Sequence, residues 1–399
     1  MEVSSTINAL KEVITSFESP ASANELSTLK RERLLAQLSS LVFKLERPVD
    51  AANRLWAQQM PAAMVKVAIE SGLIGELAKR GEQGSGVGHS EDELAKAIGA
   101  EPSLIGRILR YLAAQGLVDE VDVGVFAANE KTVAFAGSGF QGCIEFFFDI
   151  ITPVYQEIPA YFAARKYRSP ASVVDTAFQA GLKTSEPAFV WMQQRPEVMG
   201  SFMRYMTVQH YGKADWLTLF PLEKELATWT NSQEKAVFVD VGGGMGHQCV
   251  VLKQRYPQLQ GRVVLQDLPE VIPHAQLPPG IEKAAINFLE NQPEKGAKFY
   301  YLRNILHDWP DKDVLTILKN IRDAMDKDSR ILIDELVLAA KGSPLLPLQM
   351  DILMMLNVGA AERTLEQWQA LFDQAGLKIE NKYQYTEISA DTLLVVAQK

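Results

Sequence analysis

From Lys235 onward, short β-rich runs alternate with helical stretches: AVFVDVG, GRVVLQD, KFYYLRN, RILIDEL and finally TLLVVAQ. Apolar runs of this kind are buried by joining a sheet whose faces the intervening helices cover, so the pattern predicts a doubly wound, Rossmann-like α/β domain. The first run passes into Gly242, Gly243, Gly244 and Gly246, and a helix is expected through Val250 to Arg255. Glycines at a strand-to-helix turn let the backbone approach a ligand closely. A dinucleotide fingerprint needs GxGxxG, but counted from Gly242 the third glycine position holds His247, which favours a ligand with no pyrophosphate. The second run ends at Asp267, where a carboxylate can accept from both ribose hydroxyls of a nucleoside. Asp240 either faces that ligand or supports the turn.

Upstream the texture is helical. Leu29, Leu34, Leu35, Leu38, Leu41 and Leu45 recur at helical spacing between Ser27 and Leu45, giving an amphipathic helix that needs a partner, and Pro48 ends the run. A second helix is expected from about Ala52 to Leu77, and a third after the N-cap residue Ser90. A fourth is expected near Pro102 to Gln115, and LVDEVDVGVFAAN then reads as a short hairpin. Helices followed by a hairpin suggest a winged helix, a module that often binds DNA. Between Ser90 and Glu130, however, eight acids face three bases, and the whole chain carries a formal charge of -9. A nucleic-acid partner needs the opposite sign, so packing or homodimerisation is the expected role. Residues from about Gly139 to Leu222 read as helical and aromatic-rich. The resulting division is 1–135 helical and winged-helix, 136–225 connecting and substrate-lining, and 226–399 the α/β domain.

At 399 residues the chain exceeds what one core usually serves. Cys143 and Cys249 lie far apart and form no CxxC pair, which fits a reducing compartment and no disulfide framework. The opening MEVSSTINALKEV has no basic segment followed by an apolar core, and no run of 18 apolar residues occurs, so a cytoplasmic protein with no membrane partner is expected. No His/Cys/carboxylate group stands at metal-ligand spacing, and no metal is expected.

Four segments in order, VDVGGGMGH, LQDLPEVI, YYLRNILHDWPDKD and AAERTLEQW, resemble the plant-type and fungal O-methyltransferases. The resemblance is strong from about Phe202 to the C-terminus and weak over an N-terminal winged-helix dimerisation domain. It implies S-adenosylmethionine (SAM) bound over Gly242, Gly244 and Gly246, with Asp267 on the ribose, Leu268 beside the adenine and Asp308 near the methionine end. Asp240 and Arg303 are counted with these cofactor-binding residues. One departure is AAINFLENQP: the family commonly has an acid followed by an aromatic or Met there, and this chain has Asn287 and Phe288. Asn still accepts a hydrogen bond from the adenine amino group.

The resemblance also assigns His307 as general base, flanked by Glu335 and Glu362. Imidazole titrates near neutrality, and a neighbouring carboxylate fixes its tautomer and raises its basicity. Glu335 is expected at the C-terminal end of the strand RILID, where open α/β sheets bind ligands. Glu362 also stands as a favourable charge ahead of the T-x-x-Q capping box of Thr364 and Gln367. His210 and His247 have no comparable setting. Met203, Met206, Met350, Met354, Met355 and Trp309 are candidates for an apolar pocket taking an aromatic or polyketide-like small molecule, or for plain core. Two other functions stand beside O-methylation. One is a SAM-retaining relative that performs a pericyclic or isomerising reaction, and the other is a non-catalytic SAM- or DNA-binding regulator.

Overall fold

The computed structural model describes residues 11, 15, 28–82, 86–170, 172–209, 211–227, 229 and 234–399. Ser27, His210 and the opening residues read for a targeting signal, apart from Lys11, lie outside that set. The chain divides into two compact units: Val42–Tyr167 with Ala177–Gly212, and Met1–Leu41 with Arg168–Thr176 and Lys213–Lys399. The amphipathic helix Thr28–Leu45 runs from the latter unit into the former.

In the Val42–Tyr167 unit, the single helix expected over Ala52 to Leu77 is three: Pro48–Ala57, Gln59–Glu70 and Leu73–Glu82. Pro61 has no N–H to give the carbonyl four residues back, which interrupts the ladder at the first break. Gly72, left-handed at φ +79, makes the second. Ser90 and Glu93 form a reciprocal capping box at the start of Glu91–Ile98, and Pro102–Ala114 follows. Strands β1 (His89–Ser90), β2 (Asp119–Asp122) and β3 (Val125–Ala127) make an antiparallel sheet in the order β1-β3-β2, so the hairpin forms where it was expected. Leu73, Leu77, Leu94, Ile105, Leu109 and Phe126 supply its buried core. Further on, Ser138–Glu145 passes through a π-helical turn, Phe146–Ile151, into Thr152–Ala164.

In the other unit, strands β4 (Ala236–Val241), β5 (Arg262–Asp267), β6 (Glu282–Ala285), β7 (Phe299–Arg303), β8 (Arg330–Leu338), β9 (Arg363–Thr364), β10 (Leu377–Gln384) and β11 (Asp391–Gln398) form one sheet. Its order is β10-β11-β8-β7-β4-β5-β6, with β9 paired beside β8. From β8 to β6 the strands are parallel, while β10 and β11 are antiparallel. Every residue of β4 is buried, as a strand covered on both faces requires. Val314, Ile317, Ile321, Trp368 and Phe372 pack on one face, and Trp216, Phe220, Cys249 and Leu252 on the other. The chain leaves β4 toward β5 and β6, then returns to β4's other side as β7. That reversal opens a crevice beyond the C-terminal ends of β4 and β7, the place where open α/β sheets bind ligands.

Candidate active site

Both segments that end in the crevice carry backbone that side chains rarely adopt. After β4, Gly242, Gly244 and Gly246 have φ of +74, +58 and +77. A Cβ on Gly242 would stand 2.8 Å from Ile305 Cδ1 and one on Gly246 2.6 Å from Leu277 Cδ2, whereas the space over Gly244 is open. The Gly242 and Gly243 N–H groups donate to the Gln266 carbonyl at 2.8 and 3.1 Å, tying the turn to β5. Asp240 is buried under Gly243 and takes the Cys249 thiol at 3.6 Å; burial pushes its carboxyl up to about 7.

Asp267 ends β5 as expected. One carboxylate oxygen accepts from the Gly244 N–H and the other from the Leu268 N–H, both at 2.7 Å. Burial raises its pKa, and those two amides oppose the shift. Phe288 lies beside Gly242 and meets Trp309 edge-on at 5.6 Å, while Asn287 is exposed and its side-chain oxygen accepts from the Leu289 N–H. Arg303 belongs to a buried network: its Nε is 3.6 Å from Asp334 Oδ2, and Asp334 accepts from the hydroxyls of Tyr301 and Tyr385 at 2.5 and 2.6 Å.

At the end of β7, Asn304 takes a left-handed φ of +51 and turns the chain into a 3-10 helix, Leu306–Asp308. His307 is therefore presented from a short turn at a strand end. Its Nδ1 lies 2.8 Å from Glu362 Oε1 and 3.9 Å from Glu335 Oε2, and its Nε2 lies 3.7 Å from Asp308 Oδ1. Because a carboxylate oxygen accepts, Glu362 assigns the proton to Nδ1 and leaves Nε2 as the basic nitrogen. Glu335 Oε1 accepts from the Ile305 and Leu306 N–H groups at 3.1 and 2.8 Å, which fixes the start of the turn. Glu335 does not close its strand: β8 runs on to Leu338, because pairing with β11 continues past the last residue paired with β7.

Electrostatics follow from this crowding. Desolvation works to lower the His307 pKa, but Asp308, Glu362 and Glu335 outweigh it and hold the imidazole well above its ordinary value. Burial pushes Glu335 up to about 7 and Asp308 up to about 6, each opposed by the imidazolium. Glu335 Oε2 and Glu362 Oε2 are buried with no hydrogen-bond partner. The sequence shows no metal-ligand spacing, yet in space ligand atoms of His307, Glu335 and Glu362 lie within 4.8 Å of one another. The residues come from β8, a turn and a loop, a clustering that spacing along a chain does not reveal.

Three participants were missed by sequence reasoning. Asp351 Oδ1 accepts from the Glu362 N–H at 3.0 Å, Asn304 makes the turn, and Arg363 bonds to the turn's carbonyls. Asn304 and Arg363 carried a signal, as members of the segments YYLRNILHDWPDKD and AAERTLEQW, and Asp351 carried none. His247 is exposed and opens the helix His247–Arg255, so the helix begins three residues before Val250. Met350, Met354 and Met355 are half-buried on Leu345–Val358.

A family model described as an O-methyltransferase domain matches residues 185–378. O-methyltransferase lepI of Aspergillus flavus is 37% identical over 384 residues, 96% of each chain. A solved structure of LepI in complex with SAM has a TM-score of 0.89 at 35% identity, with all of both chains covered. Demethylsterigmatocystin 6-O-methyltransferase of the same organism is 37% identical over 350 residues, 88% of this chain and 89% of that one. A structure described as a pericyclic reaction enzyme has a TM-score of 0.89 at 36% identity, covering 99% of this chain and all of that one.

Proposed function

This chain belongs to the O-methyltransferase family, and on that premise we propose that it uses SAM to methylate a hydroxyl, phenolic in our reading, of a small secondary-metabolite substrate. The observation that carries the reading is the imidazole of His307, hydrogen-bonded to Glu362 at Nδ1 and kept proton-hungry by three carboxylates. A carboxylic acid is already ionised near neutrality and needs no base, whereas a phenol must lose its proton as the methyl arrives.

The residues of the crevice suit the cofactor. The glycine turn offers backbone and open space over Gly244, and Asp267 is an anchored acceptor for the ribose hydroxyls. Leu268 and Phe288 offer apolar surface for the adenine, with Asn287 at its edge, and Asp308 stands toward the methionine end. Asp240 supports the turn from below, and Arg303 stiffens the strand end through Asp334. When bound, SAM supplies a methyl group activated by its sulfonium charge. His307 accepts the substrate proton at Nε2, Glu362 keeps Nδ1 protonated and stabilises the imidazolium, and Glu335 holds the turn. The half-buried methionines of Leu345–Val358 are adaptable apolar surface for an aromatic ring.

Homodimerisation through a winged-helix N-terminal region belongs to the same reading. Val49, Leu55 and Trp56 are exposed on Pro48–Ala57, a helix with no buried residue. The likeness to a pericyclic reaction enzyme keeps a non-methylating reaction as the second reading, and the intact base cluster favours the first. Incubation with SAM carrying a labelled methyl and a panel of phenols tests it. Label in a product supports methyl transfer, and no labelled product while SAM binds and a substrate is converted speaks for the second.

A further inference from the structure

The turn that carries His307 is short and has little of its own to hold it. Within it, the Asp308 N–H donates to the Ile305 carbonyl at 3.2 Å and the Trp309 N–H to the Leu306 carbonyl at 3.3 Å. Glu335 fastens the amide side. The carbonyl side is held by a residue to which the reaction as described gives no part: Arg363, buried to 3% exposure, donates from Nη1 to the Leu306 carbonyl at 2.9 Å and from Nη2 to the Trp309 carbonyl at 2.8 Å. Those two carbonyls bracket His307 and Asp308.

We propose that Arg363 is the positioning residue of the base, its planar fork fixing the height and rotation of the His307 turn so that Nε2 faces the acceptor hydroxyl. The inference rests on His307 being that base. Arg363 follows Glu362 directly in the chain, so one peptide unit references both the imidazole ring, through Glu362, and the backbone beneath it, through Arg363. On its outer side Asp311 Oδ1 takes Nε and Nη2 at 3.0 and 2.8 Å, and the guanidinium lies 5.2 Å over the Trp368 ring. A buried guanidinium is a costly way to stabilise a fold, since packed apolar side chains commonly do as well. What it supplies instead is direction: two donors in a rigid plane, which the point charge of a lysine cannot reproduce.

The test uses the full chain with Arg363→Lys, which keeps the charge, and Asp311→Asn, which loosens the fork from an exposed position and so leaves a measurable protein if the lysine variant fails to fold. Arg363→Lys should lower kcat on a phenolic acceptor about tenfold or more, because small misplacements of a reacting group cost on that scale. SAM affinity by calorimetry should stay within about twofold. Asp311→Asn should lower kcat in the same sense by less. In a His307→Ala background Arg363→Lys should add nothing, since residues acting as a unit are not additive. A wild-type kcat in both single variants, or a further full loss on top of His307→Ala, overturns the proposal. Full activity of His307→Ala alone instead identifies the base assignment as the step that failed.

Discussion

A histidine accepts a proton only after it has lost one, and His307 holds its own to a higher pH than an unperturbed imidazole. The sign for activity follows: turnover should be low where the imidazolium persists and rise with pH along a limb lying above the usual histidine range. Glu362→Gln removes one of the charges that retain the proton, so the limb should move to lower pH while the rate at its plateau falls. A limb that does not move contradicts the assigned pair. His307→Ala should reduce turnover about 100-fold or more with SAM binding nearly intact, the scale of general-base catalysis. Glu335→Gln and Glu362→Gln should each cost less, because they orient the base and do not take the substrate proton. The resemblance to the family named His307, Glu335 and Glu362, and the structure brings the three together. The hydrogen bond at 2.8 Å, the two amides on Glu335 and the clamp by Arg363 were not legible in the sequence, since each joins residues tens of positions apart.

Among the elements, the turn after β4 does the most with the least. Gly244→Ala forces a residue with a Cβ into φ near +58, at about 1–2 kcal/mol for left-handed backbone, and places a methyl in the open space above the turn. The variant should stay folded and bind SAM about tenfold more weakly or worse by calorimetry. Gly242→Ala should instead destabilise the free protein, because its new methyl meets Ile305. Unchanged SAM affinity in Gly244→Ala would remove the turn from the cofactor site. Elements with local chemistry were readable: the N-cap at Ser90, the capping box at Thr364 and the strand end at Asp267 stand where expected. Elements decided by distant partners were not. The extension of β8 beyond Glu335 depends on the β11 ladder, whereas the breaks around Gln58 and Gly72 have local causes, Pro61 and Gly72, that an apolar periodicity running through them masks.

For the whole molecule, the alternation of runs announced a doubly wound sheet but not the return of β7 beside β4, which makes the crevice. Spatial order of parallel strands is set by which helices cover which face, and no single run records it. The proposed homodimerisation is tested at this scale. Leu55 and Trp56 are 60% and 68% exposed on one helix beside exposed Val49, and apolar side chains grouped in this way are the surface that a partner copy covers in the proposed dimer. Light scattering should therefore find a dimer in the unmodified chain and a monomer in Leu55→Glu with Trp56→Glu; a dimer that survives both charges puts the interface elsewhere. The central claim is methyl transfer itself, and its most direct test is the ratio of methylated product to S-adenosylhomocysteine formed by the wild-type protein from a converted substrate. The account predicts equal amounts of the two, rising together with time. Substrate conversion without any consumption of SAM would contradict it and place the chain with the relatives that keep the cofactor and rearrange their substrate.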